Sequence, residues 1–287
     1  MKKRIKKWLS VIVSVLMICQ LATPLSIVAE GTEDFIPIRT IEELYNIRND
    51  MAKNYRLMND IDLTKATSKG GAWDFNGNGW NPIGSEDVYS ATPFTGKFDG
   101  AGHKIVGMRI DIQSIPSGAG TGLYLGLFSR VTGEIYNLQM IGGLITCEKN
   151  IGVVAGSIAG SSDAIIRDCG NTGDILIDSG INVGGLVGFS KGTISNSYNT
   201  GDISSQEHAG GIAGTNYAAT DNCYNTGNIT VVGSSSDLPC AGGIIGTATA
   251  GVTNCYNKGN VSITNANSYS ARAYAGGIVG YRNQYNP

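Results

Sequence analysis

A short block of glycine and apolar residues recurs along the second half of the chain. It reads glycine, any residue, apolar residue, any residue, glycine, and occurs at 156–160, 184–188, 210–214, 242–246 and 276–280. The last glycines of successive blocks are 28, 26, 32 and 34 residues apart, and the first four blocks precede an asparagine by eleven residues. Constant segments separated by joints of variable length are typical of stacked coils with surface loops.

The second half of each unit is equally regular. Residues 194–201 read ISNSYNTG, and 166–173, 220–227 and 252–259 follow the same pattern. Such segments are too short and too rich in Gly, Asn and Thr for helices, so they predict short strands between tight turns. We expect the Asn-x-Gly step to supply the left-handed backbone angles. Each unit then has roughly three strands and three bends, and units stacked at about 4.8 Å form an all-β, right-handed parallel β-helix.

Equivalent positions should form columns that run through the stack. Two columns are predicted to point inward. The first contains Leu138, Cys169, Ser197, Cys223 and Cys255, and the second contains Ile135, Ile166, Ile194, Thr220 and Val252. A third column, Asn171, Asn199, Asn225 and Asn257, is predicted to form an amide ladder at a corner.

The N-terminal part of the solenoid has a different pattern. Thr40 and Glu43 form a capping box, and the apolar positions after them predict a short helix to about Met51 that covers the first coil. Residues 55–58 and 61–63 resemble strands, and 94–105 predict a strand, an Asp-Gly turn and a second strand. His103 is then expected to be a turn residue rather than a catalytic base.

The first 29 residues have the layout of a secretory signal peptide. Five basic residues precede an apolar stretch at about 8–21, and Ala29 offers a small residue for cleavage. An uncleaved membrane anchor is the alternative, although the stretch is short for a membrane-spanning helix. The domains expected are therefore the signal peptide at 1–29, the cap and first coils at 30–120, and the repeats at 121–287.

Composition and charge narrow the classes of partner. The chain has 41 glycines, which do not fall at every third residue, so collagen is excluded. The part after residue 29 holds 16 basic and 23 acidic residues, a net charge of −7. This charge argues against nucleic acid or an anionic lipid surface as a partner, and we expect no membrane insertion of the mature chain.

Few residues offer catalytic or metal-binding chemistry. The cysteines lack zinc-site spacing, and His103 and His208 each lack a neighbouring histidine, so we expect no metal, no cofactor and no catalytic residue. Asp74 to Gly79 begins like a calcium loop, but Ser85 takes the twelfth position; an Asn/Gly-rich turn is the alternative. Cys223 and Cys255 fall in adjacent coils, either as a disulfide or as small buried apolar groups.

Together these segments resemble the GLUG repeat of bacterial surface proteins. The resemblance rests on GGLVG at 184–188 and ISNSYNTGDI at 194–203, and it extends upstream to WNPIG at 80–84 and FTGKFDGAGHKI at 94–105. It implies a large exported protein of adhesin-like type. The same repeats flank immunoglobulin A-cleaving metallopeptidases, so the resemblance also implies, as an alternative, the N-terminal accessory region of a surface metallopeptidase; this sequence itself has no HExxH. Since the last coil stops at Pro287 without a cap, we expect the chain to be part of a longer protein.

Two functions from different classes remain open. The first is a non-catalytic secreted or cell-surface module for adhesion, display or spacing, with a host glycan, a host protein or a cell-wall component as partner. Tyr198, Tyr224 and Tyr256 share an outward column and are the candidate ligand contacts, unless the ladder only stabilises the outer face. The second is a polysaccharide lyase or hydrolase, which needs convergent carboxylates. Asp174 and Asp202 share one column, but asparagines follow them there, as in a turn.

Overall fold

The chain forms a parallel β-helix with five sheets, and each coil from Lys97 onward contributes one strand to every sheet. The computed structural model describes residues 34–87, 90–113, 123–147, 152–233, 238–264 and 272–283. The predicted signal peptide at 1–29 lies outside the described residues. Residues 35–287 form one compact unit, in which the boundary near residue 120 stays a prediction, as does the handedness of the coils.

The five sheets are parallel throughout, and each strand pairs with its equivalents in the neighbouring coils. The first sheet contains Phe35–Ile38, Asn54–Leu57, Lys97–Asp99, Glu134–Tyr136, Ile165–Arg167, Ile194–Ser195, Thr220–Asp221 and Val252–Thr253. The second contains Ile61–Asp62, Lys104–Val106, Gln139–Ile141, Gly170–Asn171, Tyr198–Asn199, Tyr224–Asn225 and Tyr256–Asn257. The third contains Arg109–Ile112, Leu144–Cys147, Asp174–Ile177, Ile203–Ser205, Ile229–Val232 and Val261–Thr264.

Two more sheets complete each coil. The fourth contains Tyr124–Leu125, Val153–Ala155, Gly180–Gly184, His208–Gly210, Cys240–Gly242 and Tyr274–Gly276. The fifth contains Phe128–Val131, Ala159–Ser162, Val187–Ser190, Ala213–Asn216, Ile245–Ala248 and Val279–Arg282. A separate antiparallel hairpin pairs Ser85–Asp87 with Ser90–Ala91.

The prediction of three strands per unit was wrong, because the glycine block is itself a bend between two strands. Gly184 ends a strand of the fourth sheet, and Val187 begins one of the fifth. The segment predicted to vary in length lies between the third and fourth sheets. In one coil it is the short step from Ser205 to the strand at His208, and in the next it spans the longer stretch from Val232 to Cys240.

Both predicted inward columns lie in the core. Ile135, Ile166, Ile194 and Thr220 are fully buried, and so are Leu138, Cys169, Ser197 and Cys223 to within 1%. The last members, Val252 and Cys255, are only partly buried because they lie in the final coil of the first two sheets. In the first coils aromatic rings pack in the core beside the aliphatic side chains, and the centroids of Phe94 and Phe128 are 4.9 Å apart.

The predicted asparagine ladder is confirmed. The Nδ2 atom of each asparagine donates to Oδ1 of the next, at 2.7 Å from Asn171 to Asn199, 2.7 Å from Asn199 to Asn225 and 2.8 Å from Asn225 to Asn257. Each Nδ2 also donates to the carbonyl oxygen of the glycine two residues later, for example from Asn225 to Gly227 at 2.7 Å. These bonds join the coils to one another. They also satisfy the buried side-chain amides at this corner, where an unpaired amide group would cost stability.

The left-handed backbone angles lie three residues before the position that was predicted. Asp168, Asn196, Asn222 and Asn254 have φ between 49° and 57°, whereas the ladder asparagines and the glycines after them do not. Asn and Asp are the residues other than glycine that adopt this conformation most readily. These corner residues are also linked between coils, since Asn222 Nδ2 donates to Asn196 Oδ1 at 2.7 Å.

The glycines after the ladder are required for close approach of the coils. A Cβ built on Gly201 would overlap the carbonyl oxygen of Gly173, and one on Gly227 would overlap that of Gly201. Because the obstacle is the backbone of the neighbouring coil, no rotamer change could relieve the clash. The column therefore admits only glycine at this coil spacing.

A short helix is present at the N-terminal end, as predicted, but its α-helical part ends early. The α-helix covers Ile41–Tyr45, and a 3₁₀ turn at Asn46–Asn49 replaces the predicted continuation to Met51. Asparagine side chains compete for backbone hydrogen bonds and disfavour helix interiors. The capping box is confirmed: Thr40 Oγ1 accepts from the Glu43 N–H at 3.1 Å, and Glu43 accepts from the Thr40 N–H at 3.1 Å. Leu44 and Ile47 are buried in the core.

In the part of the chain that the structure describes, we find no helix with the length and apolar character to cross a membrane.

We predict that Gly201→Ala destabilises the solenoid by at least about 2 kcal/mol, in the range of overpacked cores, because the new methyl group would press against the backbone of the preceding coil. Urea denaturation followed by circular dichroism measures the effect. Gly251→Ala is the matched control, since a Cβ there meets open space. Equal midpoints for the two variants would contradict the close-approach argument.

Asn225→Ala should also destabilise the fold, by about 3 kcal/mol, because it removes three hydrogen bonds and interrupts the ladder between the neighbouring coils. Thermal unfolding of the variant is compared with that of Thr226→Ala, which changes the next, exposed residue. A loss no larger than that of the control would show that the ladder is dispensable.

Candidate functional site

The three candidate tyrosines stack face to face along the second sheet. Tyr198 pairs in register with Tyr224, and Tyr224 with Tyr256. Adjacent ring centroids are 5.2 Å apart, with interplanar angles of 8° and 4°. The sheet therefore brings all three predicted residues together as one tyrosine ladder on the outer surface.

The ladder ends in a defined contact at its N-terminal side. The equivalent position in the preceding coil is Gly170, and a Cβ there would overlap the ring of Tyr198. The Tyr198 ring leans across this glycine, so that its hydroxyl group donates to Gln139 Oε1 one coil further on, at 2.6 Å. Position 170 is therefore glycine rather than a fourth tyrosine because the Tyr198 ring occupies the space of its side chain.

The stacking determines which parts of the rings a ligand can reach. Each inner ring face is covered by the neighbouring ring, so a sugar cannot lie flat on Tyr224 as it can on an isolated aromatic ring. The ring edges and the hydroxyl groups remain as the parts that a ligand can contact, and of these the Tyr198 hydroxyl group already donates its proton to Gln139. Tyr256 is 47% exposed, and Lys258 Nζ lies 5.7 Å from its ring centroid. The ladder can therefore offer hydrogen bonds at a regular spacing.

Burial, with a smaller contribution from Tyr224, raises the pKa of Tyr198. The neutral phenol is thus favoured in the folded chain. A raised folded pKa means that its contribution to stability is complete below the unfolded pKa of about 10, and is lost as the pH rises through the folded value.

The carboxylate column on the third sheet serves the backbone. Asp174 Oδ1 accepts the N–H of Asp202 at 2.8 Å, and Asp202 Oδ1 accepts the N–H of Asn228 at 2.7 Å. Asn228 continues the series to Asn260 at 3.2 Å. The two aspartates thus link successive coils at a turn, which supports the turn interpretation of this column.

The possible calcium loop is organised as a turn as well. Asp74 accepts the N–H groups of Gly70 and Gly79, both at 2.7 Å, and Arg109 lies 3.7 Å away. The hydrogen bonds from these N–H groups, chiefly that of Gly70, lower the pKa of Asp74 against the opposing effect of burial. Within the described ranges, no three His, Cys, Asp or Glu side chains lie together as metal ligands.

The two histidines differ in their surroundings. The His103 N–H closes a turn onto the carbonyl oxygen of Gly100 at 2.8 Å, as the sequence predicted. His208 lies on the fourth sheet between Asn182 and Cys240, and its Nδ1 is 3.2 Å from Asn182 Oδ1. The sequence analysis missed this column, although each member precedes the first glycine of a block by two residues.

The Asn182–His208–Cys240 column has the residue types of a thiol hydrolase site, but its thiol is inaccessible. Cys240 is only 1% exposed, and burial raises its pKa. A reactive cysteine needs an exposed sulfur with a low pKa. The column is therefore a packing feature in this conformation.

A pocket of about 380 Å³ lies beside the N-terminal helix, where Tyr45, Arg48, Met51, Phe75 and Asn81 line it together with three further residues. Arg48 is held in place, since its Nε donates to the Tyr45 carbonyl oxygen at 2.8 Å and its Nη2 to that of Asn81 at 3.1 Å. Burial lowers the pKa of Arg48. The Arg48 guanidinium group thus uses its hydrogen bonds to attach the N-terminal helix to the first coils.

We predict that Tyr198→Phe reduces the decrease in the free energy of unfolding at high pH. Wild type should lose stability between about pH 10 and the raised folded pKa, and the variant should lose less over the same interval. Urea midpoints measured from pH 8 upward provide the test. Tyr55, whose pKa burial also raises, contributes equally to both proteins. Parallel curves for the two proteins would contradict the assignment.

Comparison with known proteins supports this architecture. Residues 179–204 and 205–230 each match the GLUG motif. The chain is 31% identical over 153 residues to Halomucin of Haloquadratum walsbyi (strain DSM 16790 / HBSQ001), which is 53% of this chain but 2% of Halomucin.

A solved structure shows the same fold. The crystal structure of a candidate immunoglobulin A1 protease from Bacteroides ovatus superposes with a TM-score of 0.56 at 16% sequence identity, over 88% of this chain and 85% of that one. The chain therefore contains two GLUG motifs, which lie in a stack of coils with the fold of a parallel β-helix.

Proposed function

We propose that the chain is a non-catalytic module of a secreted or cell-surface protein, which serves adhesion or display through its repetitive outer face. The observation that carries the proposal is the tyrosine ladder, in which phenol groups recur at a fixed 5.2 Å along the coils. A solenoid offers extended, regular faces of this kind for binding.

The ladder suits a ligand that is itself repetitive. Its accessible groups are hydroxyl oxygens and ring edges, which favour hydrogen bonds over sugar–ring stacking. A glycan or an extended peptide with polar groups at a similar spacing would contact several tyrosines at once, and linked weak contacts add up to useful avidity. The rings are already ordered by their stacking, so binding costs little side-chain entropy.

The charge and the N-terminal sequence suit an exported location. Five basic residues precede the apolar stretch at about 8–21, and the rest of the chain has a net charge of −7. These features support secretion followed by contact with neutral or basic polymers, such as host glycans, host proteins or cell-wall components.

Binding to an array of host and cell-wall glycans tests the proposal. We predict that Tyr224→Phe weakens the best ligand about fivefold, because it removes one hydroxyl hydrogen bond worth about 1 kcal/mol while preserving the ring stack. Tyr217→Phe is the matched control, since Tyr217 is 41% exposed outside the ladder.

The result for the two variants decides the role of the ladder. Selective weakening by Tyr224→Phe supports contact at the ladder. Equal binding by wild type and both variants shows that the ligand binds elsewhere. No binding to any glycan in the array contradicts a glycan-binding role and favours a ladder that only stabilises the outer face.

A second candidate is the accessory region of a surface protease, favoured by the structural likeness to the Bacteroides ovatus protein. In that role the coils would hold a substrate for a catalytic domain elsewhere. The test compares binding of the chain to immobilised immunoglobulin A1 and to immunoglobulin G. Selective retention of the first supports this candidate, and equal or absent retention contradicts it.

A further inference from the structure

Cys223 and Cys255 occupy equivalent positions in two adjacent coils and touch one another. Each directly precedes a tyrosine of the ladder, and those tyrosines are in register. The backbone N–H of Cys223 donates to Cys255 Sγ at 3.4 Å. Each thiol also points toward the carbonyl oxygen two residues earlier, at 3.3 Å for Cys223 and 3.0 Å for Cys255.

The contact between Cys223 and Cys255 distinguishes them from the other described cysteines. Cys147 stacks between Ile112 and Ile177, and Cys240 stacks between His208 and Tyr274. The coil next to Cys169 has Ser197 in the equivalent position, whose Oγ accepts the Cys169 N–H at 3.1 Å. Within the described ranges, only Cys223 and Cys255 bring two thiols to the same column in neighbouring coils.

The two thiols differ in access and acidity, as exchange chemistry requires. Cys255 is partly exposed, whereas Cys223 is buried. Contact with the Cys223 side chain, together with the hydrogen bond from the Cys223 N–H, lowers the pKa of Cys255 to about 7 against the opposing effect of burial. The same contact and burial raise the pKa of Cys223. Cys255 is therefore the attacking thiolate, and Cys223 is the resolving thiol.

We propose that Cys223 and Cys255 are a redox pair that forms an intrachain disulfide between two successive coils by exchange with a small-molecule disulfide. The Cys255 thiolate attacks one sulfur of that reagent, forms a mixed disulfide and expels one thiolate. Cys223 then loses its proton and attacks Cys255 Sγ, which expels the second thiolate. Two protein thiols are oxidised, and one small disulfide is reduced to two thiols.

The spacing of the coils permits this bond. Neighbouring strands lie about 4.8 Å apart, inside the range of roughly 4.4–6.8 Å between Cα atoms in disulfides. In-register side chains point the same way, so one cysteine must rotate about χ1 and give up its hydrogen bond to a carbonyl oxygen. The bond would tie the partly buried Cys255 of the last coil to the buried Cys223 of the coil before it.

Oxidation of the purified, folded chain by oxidised glutathione tests the proposal. After alkylation of the remaining thiols, peptide mapping should show Cys223 linked to Cys255, with the mass lower by two hydrogen atoms. Cys255 should react at least about tenfold faster than Cys240, in line with its larger thiolate fraction. Cys223→Ser should stop the reaction at a stable glutathione adduct on Cys255, and Cys240→Ser should change nothing.

The same reaction in urea provides the decisive contrast. In the unfolded chain, Cys240 offers shorter loops to both cysteines, so its disulfides should compete. A link between Cys223 and Cys255 that forms only in the folded chain supports the pair. A persistent glutathione adduct in wild type, no reaction at Cys255, or links that involve Cys240 under native conditions would each overturn it.

Discussion

The structure depends on the backbone hydrogen bonds that hold each coil against the next. The distance they impose leaves no space for a side chain where two turns meet, so the carbonyl oxygen of Gly173 lies at the place that a Cβ of Gly201 would occupy. The same distance brings the amide groups of Asn199 and Asn225 into contact at 2.7 Å. Glycine leaves space for the backbone of the neighbouring coil, and asparagine forms hydrogen bonds between coils. Together they make a corner that every coil can repeat.

The ladder on the surface is a consequence of the same register. Two tyrosines in adjacent strands at the same position must stack, because their ring planes have little room to turn. The coil spacing thus fixes both the separation of the hydroxyl groups and the loss of accessible ring faces. A solenoid can present many copies of one side chain, but it does so at a spacing set by the backbone rather than by a ligand.

The sequence predicts the columns well and the path of the chain between them less well. Ile194, Cys223 and Asn225 recur with fixed offsets from the glycine block, so their stacking follows from the repeat alone. The bend within the block could not be separated from a strand by pattern, because Gly184 and Gly185 carry no side chain that would show a face. The left-handed corner was misplaced for a related reason: Asn196 and Asn199 both tolerate it, and only the three-dimensional path decides which adopts it.

Chemistry can change within a column while the fold is preserved. At the position before the ladder tyrosine, Ser197 donates to the carbonyl oxygen of Ser195 at 2.6 Å, and Cys223 donates to that of Asp221 at 3.3 Å. In these coils the position holds a small side chain that donates a hydrogen bond, and serine and cysteine both fill this role. Two cysteines in successive coils place two thiols side by side, whereas Cys169 beside Ser197 makes the same backbone contact with only one thiol. In a solenoid, a site of this kind needs no change of backbone, only the same tolerated substitution in neighbouring coils.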